Sequence, residues 1–136
     1  MSQIKIDPER LVDLAREARK MSYSPYSHFA VGAALLCGSG KIYTGCNIEN
    51  SAYSPTCCAE RVAFFKAISE GERDFRAIAV VGGGVGKPEK FCPPCGVCRQ
   101  VMSEFVDGKE FKIYLVRGEA IEEYTMSEIL PLAFDL

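Results

Sequence analysis

The chain has 136 residues, of which 48% are hydrophobic, and a formal net charge of −2. This length suits a single domain over residues 1–136, and the apolar fraction is enough for a core without disulfide bonds. The charge balance excludes a protein that grips a nucleic acid backbone, because phosphate binding needs clustered Lys and Arg. No segment approaches the roughly 20 apolar residues that span a bilayer, so we expect no membrane partner.

The N-terminal segment has no apolar run of the signal-peptide type, so we expect a cytoplasmic protein. Cytosolic reductants disfavour disulfide bonds. The seven cysteines therefore favour metal binding or reactive thiols over a disulfide framework.

Apolar periodicity and turn residues predict the secondary structure. Asp7 and Pro8 are typical of a helix start, and Thr125 with Glu128 forms a capping box. The glycine-rich run 82–86 lacks the phosphate-loop pattern, and we expect residues 82–94 to be a flexible loop. The predicted elements are a helix over 7–21, strands over 29–37 and 41–46, a helix over 58–70, a strand over 76–81, a helix over 95–105, a strand over 111–116 and a short helix over 125–129.

The predicted element order is α-β-β-α-β-α-β-α. The first two strands form a hairpin, whereas strands that alternate with helices in the second half imply parallel pairing there. Helices then cover both faces of the sheet. The sequence therefore predicts an α/β fold, a three-layer α/β/α sandwich with a mixed sheet.

Three cysteines and one glutamate have the spacing of a metal site. Cys95 and Cys98 lie one helical turn apart, and Cys58 at the start of another helix supplies a third thiolate. Three protein ligands leave one position of a tetrahedral zinc open, which is typical of a catalytic site. Glu60 lies two residues after Cys58 and can face that open position as a proton carrier.

Three thiolates around Zn²⁺ give the site a net negative charge. Helix N-termini offset this charge, because their free N–H groups and the helix dipole stabilise anions. Arg61 follows Glu60 directly and is a candidate donor to the sulfur atoms.

Zinc deaminases carry a ligand-x-Glu pair followed by Pro-Cys-x-x-Cys, with a Cys₃ variant. Here these are Cys58-Ala59-Glu60 and Pro94-Cys95-Gly96-Val97-Cys98. Along nearly its whole length the chain resembles the small, homotetrameric-type, zinc-dependent cytidine deaminases. Further matching stretches are Ser24-Pro25-Tyr26-Ser27, the run 29–35, Gly45-Cys46-Asn47-Ile48-Glu49-Asn50, Arg99-Gln100 and Glu128-Ile129-Leu130-Pro131.

The resemblance implies hydrolytic deamination of cytidine and 2′-deoxycytidine, with release of ammonia, in pyrimidine salvage. It implies one Zn²⁺ per subunit on Cys58, Cys95 and Cys98, with Glu60 moving protons to and from zinc-activated water.

The resemblance also implies the nucleoside contacts and a homotetramer whose active sites are shared between subunits. In that arrangement Phe29 packs against the pyrimidine, Asn47 and Glu49 bind the ribose hydroxyls, and the Ala59 backbone reads the base edge, while Tyr53 and Phe134 reach a neighbouring subunit's site.

Several alternatives stay open at the level of sequence. A deaminase for a modified or antibiotic nucleoside fits the same residues, and a non-catalytic zinc-stabilised module would keep the cysteines without needing Glu60. An RNA-editing role fits poorly, since the chain has no basic surface stripe. Cys92 and Cys57 are spare thiols near the predicted ligands, and the preference between ribose and deoxyribose is undecided.

Overall fold

The structure, a computed structural model, describes residues 4–136, which form nine helices and strands. In chain order these are α1 (Pro8–Arg19), β1 (Phe29–Cys37), β2 (Ile42–Cys46), α2 (Ala59–Ser69), β3 (Phe75–Gly84), α3 (Gly96–Phe105), β4 (Lys112–Arg117), β5 (Ala120–Thr125) and α4 (Met126–Ile129). Within this part of the chain, no helix has both the length and the apolar character needed to cross a bilayer.

The strands form one mixed sheet in the order β2-β1-β3-β4-β5. β3 and β4 pair in parallel, as a crossover through α3 requires, and the other neighbours pair antiparallel. The predicted α/β fold with a mixed sheet is thus confirmed.

Alternating side chains of β1 point to two separate cores, one on each face of the sheet. Ala33 and Leu35 face α2 and α3, where Phe64 and Met102 are fully buried. Ala34 and Leu36 face the buried side of α1. These two cores are the reason for the three-layer arrangement.

Two features of the sheet were not predicted. β5 was missed because its sequence is charged and none of its residues is buried, as suits an edge strand that only β4 holds. Residues 82–84, expected to be in a flexible loop, instead extend β3 and pair with residues 29–31 of β1.

This extension of β3 needs glycine, because neighbouring groups fill the space that side chains would occupy. A Cβ on Gly83 would lie 2.7 Å from both Arg19 Nη2 and the Pro88 carbonyl oxygen. Arg19 donates hydrogen bonds of 2.8 Å to the carbonyls of Ala30 and Gly84, which ties α1 to the ends of β1 and β3. The prediction of a flexible loop was therefore wrong for residues 82–84.

Two other glycines let helices rest directly on the sheet. A Cβ on Gly32 would lie 2.0 Å from the Ala15 carbonyl oxygen of α1. A Cβ on Gly45 would lie 2.4 Å from the Ala59 carbonyl oxygen in the first turn of α2. The close approach at Gly45 fixes where the N-terminus of α2 lies, and that helix end carries Cys58 and Glu60.

We expect Gly32→Ala to lower the free energy of unfolding by about 3 kcal/mol, the upper part of the usual range for overpacking. The added methyl meets backbone atoms of α1, which cannot move aside as a side chain can. Denaturant unfolding of the zinc-loaded protein, followed by circular dichroism, measures the change.

Gly96→Ala is the matched control, because no atom lies within 4 Å of the position of its Cβ apart from its chain neighbours and the backbone of its own helix. Equal unfolding midpoints for the two variants and the parent would contradict the close contact between α1 and β1.

Candidate active site

Three cysteine sulfurs converge where the N-termini of two helices meet. Cys58 is the N-cap of α2, Cys95 is the N-cap of α3, and Cys98 lies in the first turn of α3. The Sγ atoms of Cys58 and Cys95 are 3.7 Å apart, and all three sulfurs lie within 4.8 Å of one another. Tetrahedral zinc with Zn–S bonds of about 2.3 Å places its sulfur ligands about 3.8 Å apart, so this donor set fits zinc.

Hydrogen bonds stabilise negative charge on two of these sulfurs, those of Cys58 and Cys95. The Cys98 amide donates to Cys95 Sγ over 3.4 Å, and Arg61 Nη2 lies 3.3 Å from Cys58 Sγ. The pKa of Cys58 is lowered to about 5 by a hydrogen bond from the Cys98 thiol and, after it, by the Arg61 guanidinium. Arg61 thus contacts a cysteine sulfur, in the position expected of a hydrogen-bond donor to the metal group.

Glu60 is the charged residue most deeply placed beside the cysteines, with only 3% of its surface exposed. Burial raises its pKa to about 7, and the negative charge of Cys58 acts in the same direction. A carboxyl group with this pKa exchanges protons readily near neutral pH.

A cavity of about 280 Å³ leads to this group. Two of the metal-group cysteines, Cys58 and Cys95, line it together with Glu60, and so do the polar side chains of Asn47 and Glu49. Its lining consists of Ser27, Phe29, Val31, Asn47, Glu49, Thr56, Cys58, Ala59, Glu60, Cys92, Pro93 and Cys95.

Asn47 is buried and is also part of the framework of the fold. Its Oδ1 accepts a hydrogen bond of 2.9 Å from the Val31 amide and one of 2.5 Å from the Ser22 hydroxyl. Its Nδ2 donates one hydrogen bond, of 2.8 Å, to the Phe29 carbonyl. A side-chain amide has two N–H groups, so one remains to donate into the cavity.

Glu49 is held by the turn that precedes β1. Its Oε1 accepts hydrogen bonds from the amides of Tyr26 and Ser27, at 2.9 and 3.1 Å, and its Oε2 accepts from the Ser27 hydroxyl. The Ser27 hydroxyl and these amides lower the pKa of Glu49, so it is an anionic acceptor at neutral pH. Ser27 was not predicted as a site residue, although it lies in the Ser24–Ser27 stretch that matches the family.

Two predicted site residues lie outside the cavity of their own chain. Tyr53 is 72% exposed, and its ring meets the Tyr26 ring edge-on with 6.1 Å between centroids. Phe134 is 65% exposed, and its carbonyl accepts a hydrogen bond of 2.9 Å from Gln100 of α3. Phe29 and Ala59, by contrast, line the cavity, and their contacts with the base stay a prediction.

The two spare cysteines do not join the metal group formed by the described residues. Cys57 lies in a backbone bridge with Ile48 rather than on α2, and burial raises its thiol pKa. Cys92 lines the cavity instead, and burial together with the charge of Glu60 raises its pKa to about 12. Its place in the wall, which the sequence did not predict, follows from the turn that brings residues 90–94 back to β3.

The family model of the cytidine and deoxycytidylate deaminase zinc-binding region matches residues 5–114. A cytidine deaminase from Sporosarcina psychrophila is 53% identical over 131 residues, which cover 95% of this chain and 92% of that protein. A blasticidin-S deaminase from Bacillus cereus is 31% identical over 128 residues, covering 91% and 89% respectively.

A solved structure has the same fold. The crystal structure of cytidine deaminase from Burkholderia pseudomallei matches with a TM-score of 0.85 at 39% sequence identity, covering 95% of this chain and 100% of that one. The family match and the three-thiolate group together support one zinc per subunit and confirm the zinc-dependent deaminase predicted from sequence. The chain belongs to the family of cytidine and deoxycytidylate deaminases that share this zinc-binding region.

Proposed function

We propose that this protein hydrolyses cytidine and 2′-deoxycytidine to uridine and 2′-deoxyuridine, with release of ammonia. The observation that carries the proposal is the position of Glu60, which is buried in the cavity lining beside the group of three converging cysteine sulfurs. The 53% identity to a cytidine deaminase supports the same substrate.

Cys58, Cys95 and Cys98 would hold the metal. Zinc, when bound, would act as a Lewis acid that makes water a nucleophile near neutral pH. Glu60 takes a proton from the water that attacks C4 of the cytosine. The same carboxyl delivers this proton to N3. It then takes the second proton from the hydroxyl group now bonded to C4 and delivers it to the amino group, which departs as ammonia and leaves a carbonyl at C4. A pKa near 7 suits a group that both accepts and donates.

The polar side chains of Asn47 and Glu49 recognise the sugar. The free N–H of Asn47 donates to a ribose hydroxyl, and the Glu49 carboxylate accepts from one. Both side chains are already fixed by protein hydrogen bonds, so little conformational entropy is lost on binding. Phe29 packs against the base, and the Ala59 backbone contacts its polar edge.

The two alternatives left open by the sequence, a zinc-stabilised binding module and a deaminase for an antibiotic nucleoside, have less support than cytidine deamination. A zinc-stabilised binding module gains nothing from a buried carboxyl beside the metal, because burying an acid costs free energy. The blasticidin-S deaminase is a more distant relative than the cytidine deaminase, at 31% against 53% identity.

We propose further that the active form is a homotetramer in the cytoplasm. Tyr53 and Phe134 expose aromatic rings outside their own cavity, and exposed aromatic groups are typical of protein interfaces. Each would then complete the site of a neighbouring subunit. None of the seven cysteines, all of which lie within residues 4–136, forms a disulfide bond, which suits a reducing compartment.

For the metal, we expect Cys98→Ala to reduce zinc from one per chain to a small fraction of that, since two thiolates remain from a set of three. Atomic absorption on purified protein measures this content. Cys92→Ala is the matched control and should keep its zinc, because Cys92 is outside the metal group. Equal zinc loss in both variants would show that Cys92 is a ligand.

For catalysis, we expect Glu60→Gln to lower kcat on cytidine by about 10²- to 10⁴-fold, the range for a lost general acid–base group. Glutamine keeps the shape of the side chain but cannot carry the proton. The fall in ultraviolet absorbance as cytidine becomes uridine follows the reaction, and zinc content is measured in parallel. Glu104→Gln, on the exposed side of α3, serves as the control. Full activity in the zinc-loaded Glu60→Gln variant would refute the proposed mechanism.

For sugar recognition, we expect Glu49→Gln to lower kcat/KM for cytidine by about 10- to 100-fold, mainly through KM, because a hydrogen bond to a charged group is worth about 1.5–3 kcal/mol. Steady-state kinetics measure both constants. Glu122→Gln is the control, since Glu122 also accepts side-chain hydrogen bonds but lies on β5, outside the cavity. An unchanged KM in Glu49→Gln would remove Glu49 from the nucleoside site.

A further inference from the structure

One wall of the cavity depends on the absence of a side chain at Gly82. A Cβ built at this position would lie 2.6 Å from Cys92 Sγ, 3.0 Å from Cys92 Cβ and 3.1 Å from Phe29 Cε2. The thiol of Cys92 and the ring of Phe29 therefore occupy the space that a side chain on residue 82 would need. Both of these residues line the cavity, with Gly82 behind them.

The backbone behind this wall is fixed on two sides. Gly82 pairs with Val31 in the register of β1 and β3, and its carbonyl accepts a hydrogen bond of 2.9 Å from the Lys90 amide. The segment that carries Cys92 is also held from outside, since the Arg117 guanidinium stacks 3.7 Å above the Phe91 ring. The wall cannot retreat from a larger ligand without breaking these contacts.

The chemistry of the base, which rests on the proposed function, shows which of its edges meets this wall. O2, N3 and the amino group of cytosine all need hydrogen-bonding partners, which Glu60 and the Ala59 backbone offer. The C5–C6 edge carries no such group. A protonated thiol behaves as a small hydrophobic group, and together with Phe29 it forms a surface suited to that edge.

We propose that Gly82 and Cys92 are specificity-determining residues, which together set how large a substituent the pyrimidine can carry at C5. The size of the Cys92 side chain sets the space available next to C5. Gly82 acts through Cys92, because the missing side chain at residue 82 lets Cys92 pack directly against β3.

The first test compares cytidine with 5-methylcytidine in the zinc-loaded parent, Cys92→Ala and Cys92→Leu. We expect the ratio of kcat/KM for 5-methylcytidine to that for cytidine to rise by about tenfold with alanine and to fall by about tenfold with leucine, since one methylene in an apolar pocket changes rates by 10- to 200-fold. Cys46→Ala removes a half-buried thiol from β2, outside the cavity, and should leave the ratio unchanged.

The second test measures the coupling between the two positions. Gly82→Ala should raise KM for cytidine by about tenfold, because the new methyl pushes Cys92 and Phe29 into the cavity. The double variant Gly82→Ala, Cys92→Ala should recover most of this loss. Gly84→Ala is the matched control on the same strand, since its methyl meets only the flexible Lys87 side chain, at 3.1 Å.

A ratio that stays within twofold of the parent in both Cys92 variants would overturn the inference while leaving the deaminase intact. Strictly additive effects of Gly82→Ala and Cys92→Ala on KM would also overturn it. A zinc-loaded parent that converts neither nucleoside would instead overturn the proposed function, and this inference with it.

Discussion

The concentration of acidic groups at the metal group places the strongest demand on the surrounding fold. Three cysteine sulfurs, which bind a metal as thiolates, lie together with Glu60 where two helices begin. Bringing such groups together is unfavourable unless cations and dipoles surround them. Two helix N-termini and Arg61 provide this environment, so the N-termini of α2 and α3 must lie next to each other. The direct contact of α2 with β2 at Gly45 serves that requirement.

The fold and the ligand site share single residues. Asn47 fastens the start of β1 with its oxygen and one N–H, and only its second N–H is left for a ligand. Glu49 likewise holds the turn before β1 while it faces the cavity. These two candidate sugar ligands are therefore held rigidly, although they lie outside regular strands and helices. A substitution at Asn47 changes stability and binding together, so Glu49 gives the cleaner measurement of sugar recognition.

Local patterns in the sequence were enough for most helices, for the central strands and for the metal group. The i, i+3 spacing of Cys95 and Cys98 and the Cys58-x-Glu60 pair each lie at the start of one helix, which is why these short-range pairs could be predicted from sequence. β5 and the end of β3 depend instead on pairing with β4 and β1, and neither a charged nor a glycine-rich segment predicts a strand by composition. The same long-range pairing places Cys92 in the cavity wall.

The residues proposed for proton transfer and for sugar binding are held in different ways. Proton transfer tolerates little displacement, and Glu60, proposed to carry the proton, lies in the first turn of a helix whose backbone touches the sheet. Binding a flexible sugar tolerates more, and its candidate ligands lie on turns held by local hydrogen bonds. The wall formed by Phe29 and Cys92 offers the cavity an apolar surface. Exchanging side chains in this wall changes which bases fit while the metal group and Glu60 stay where the helices hold them.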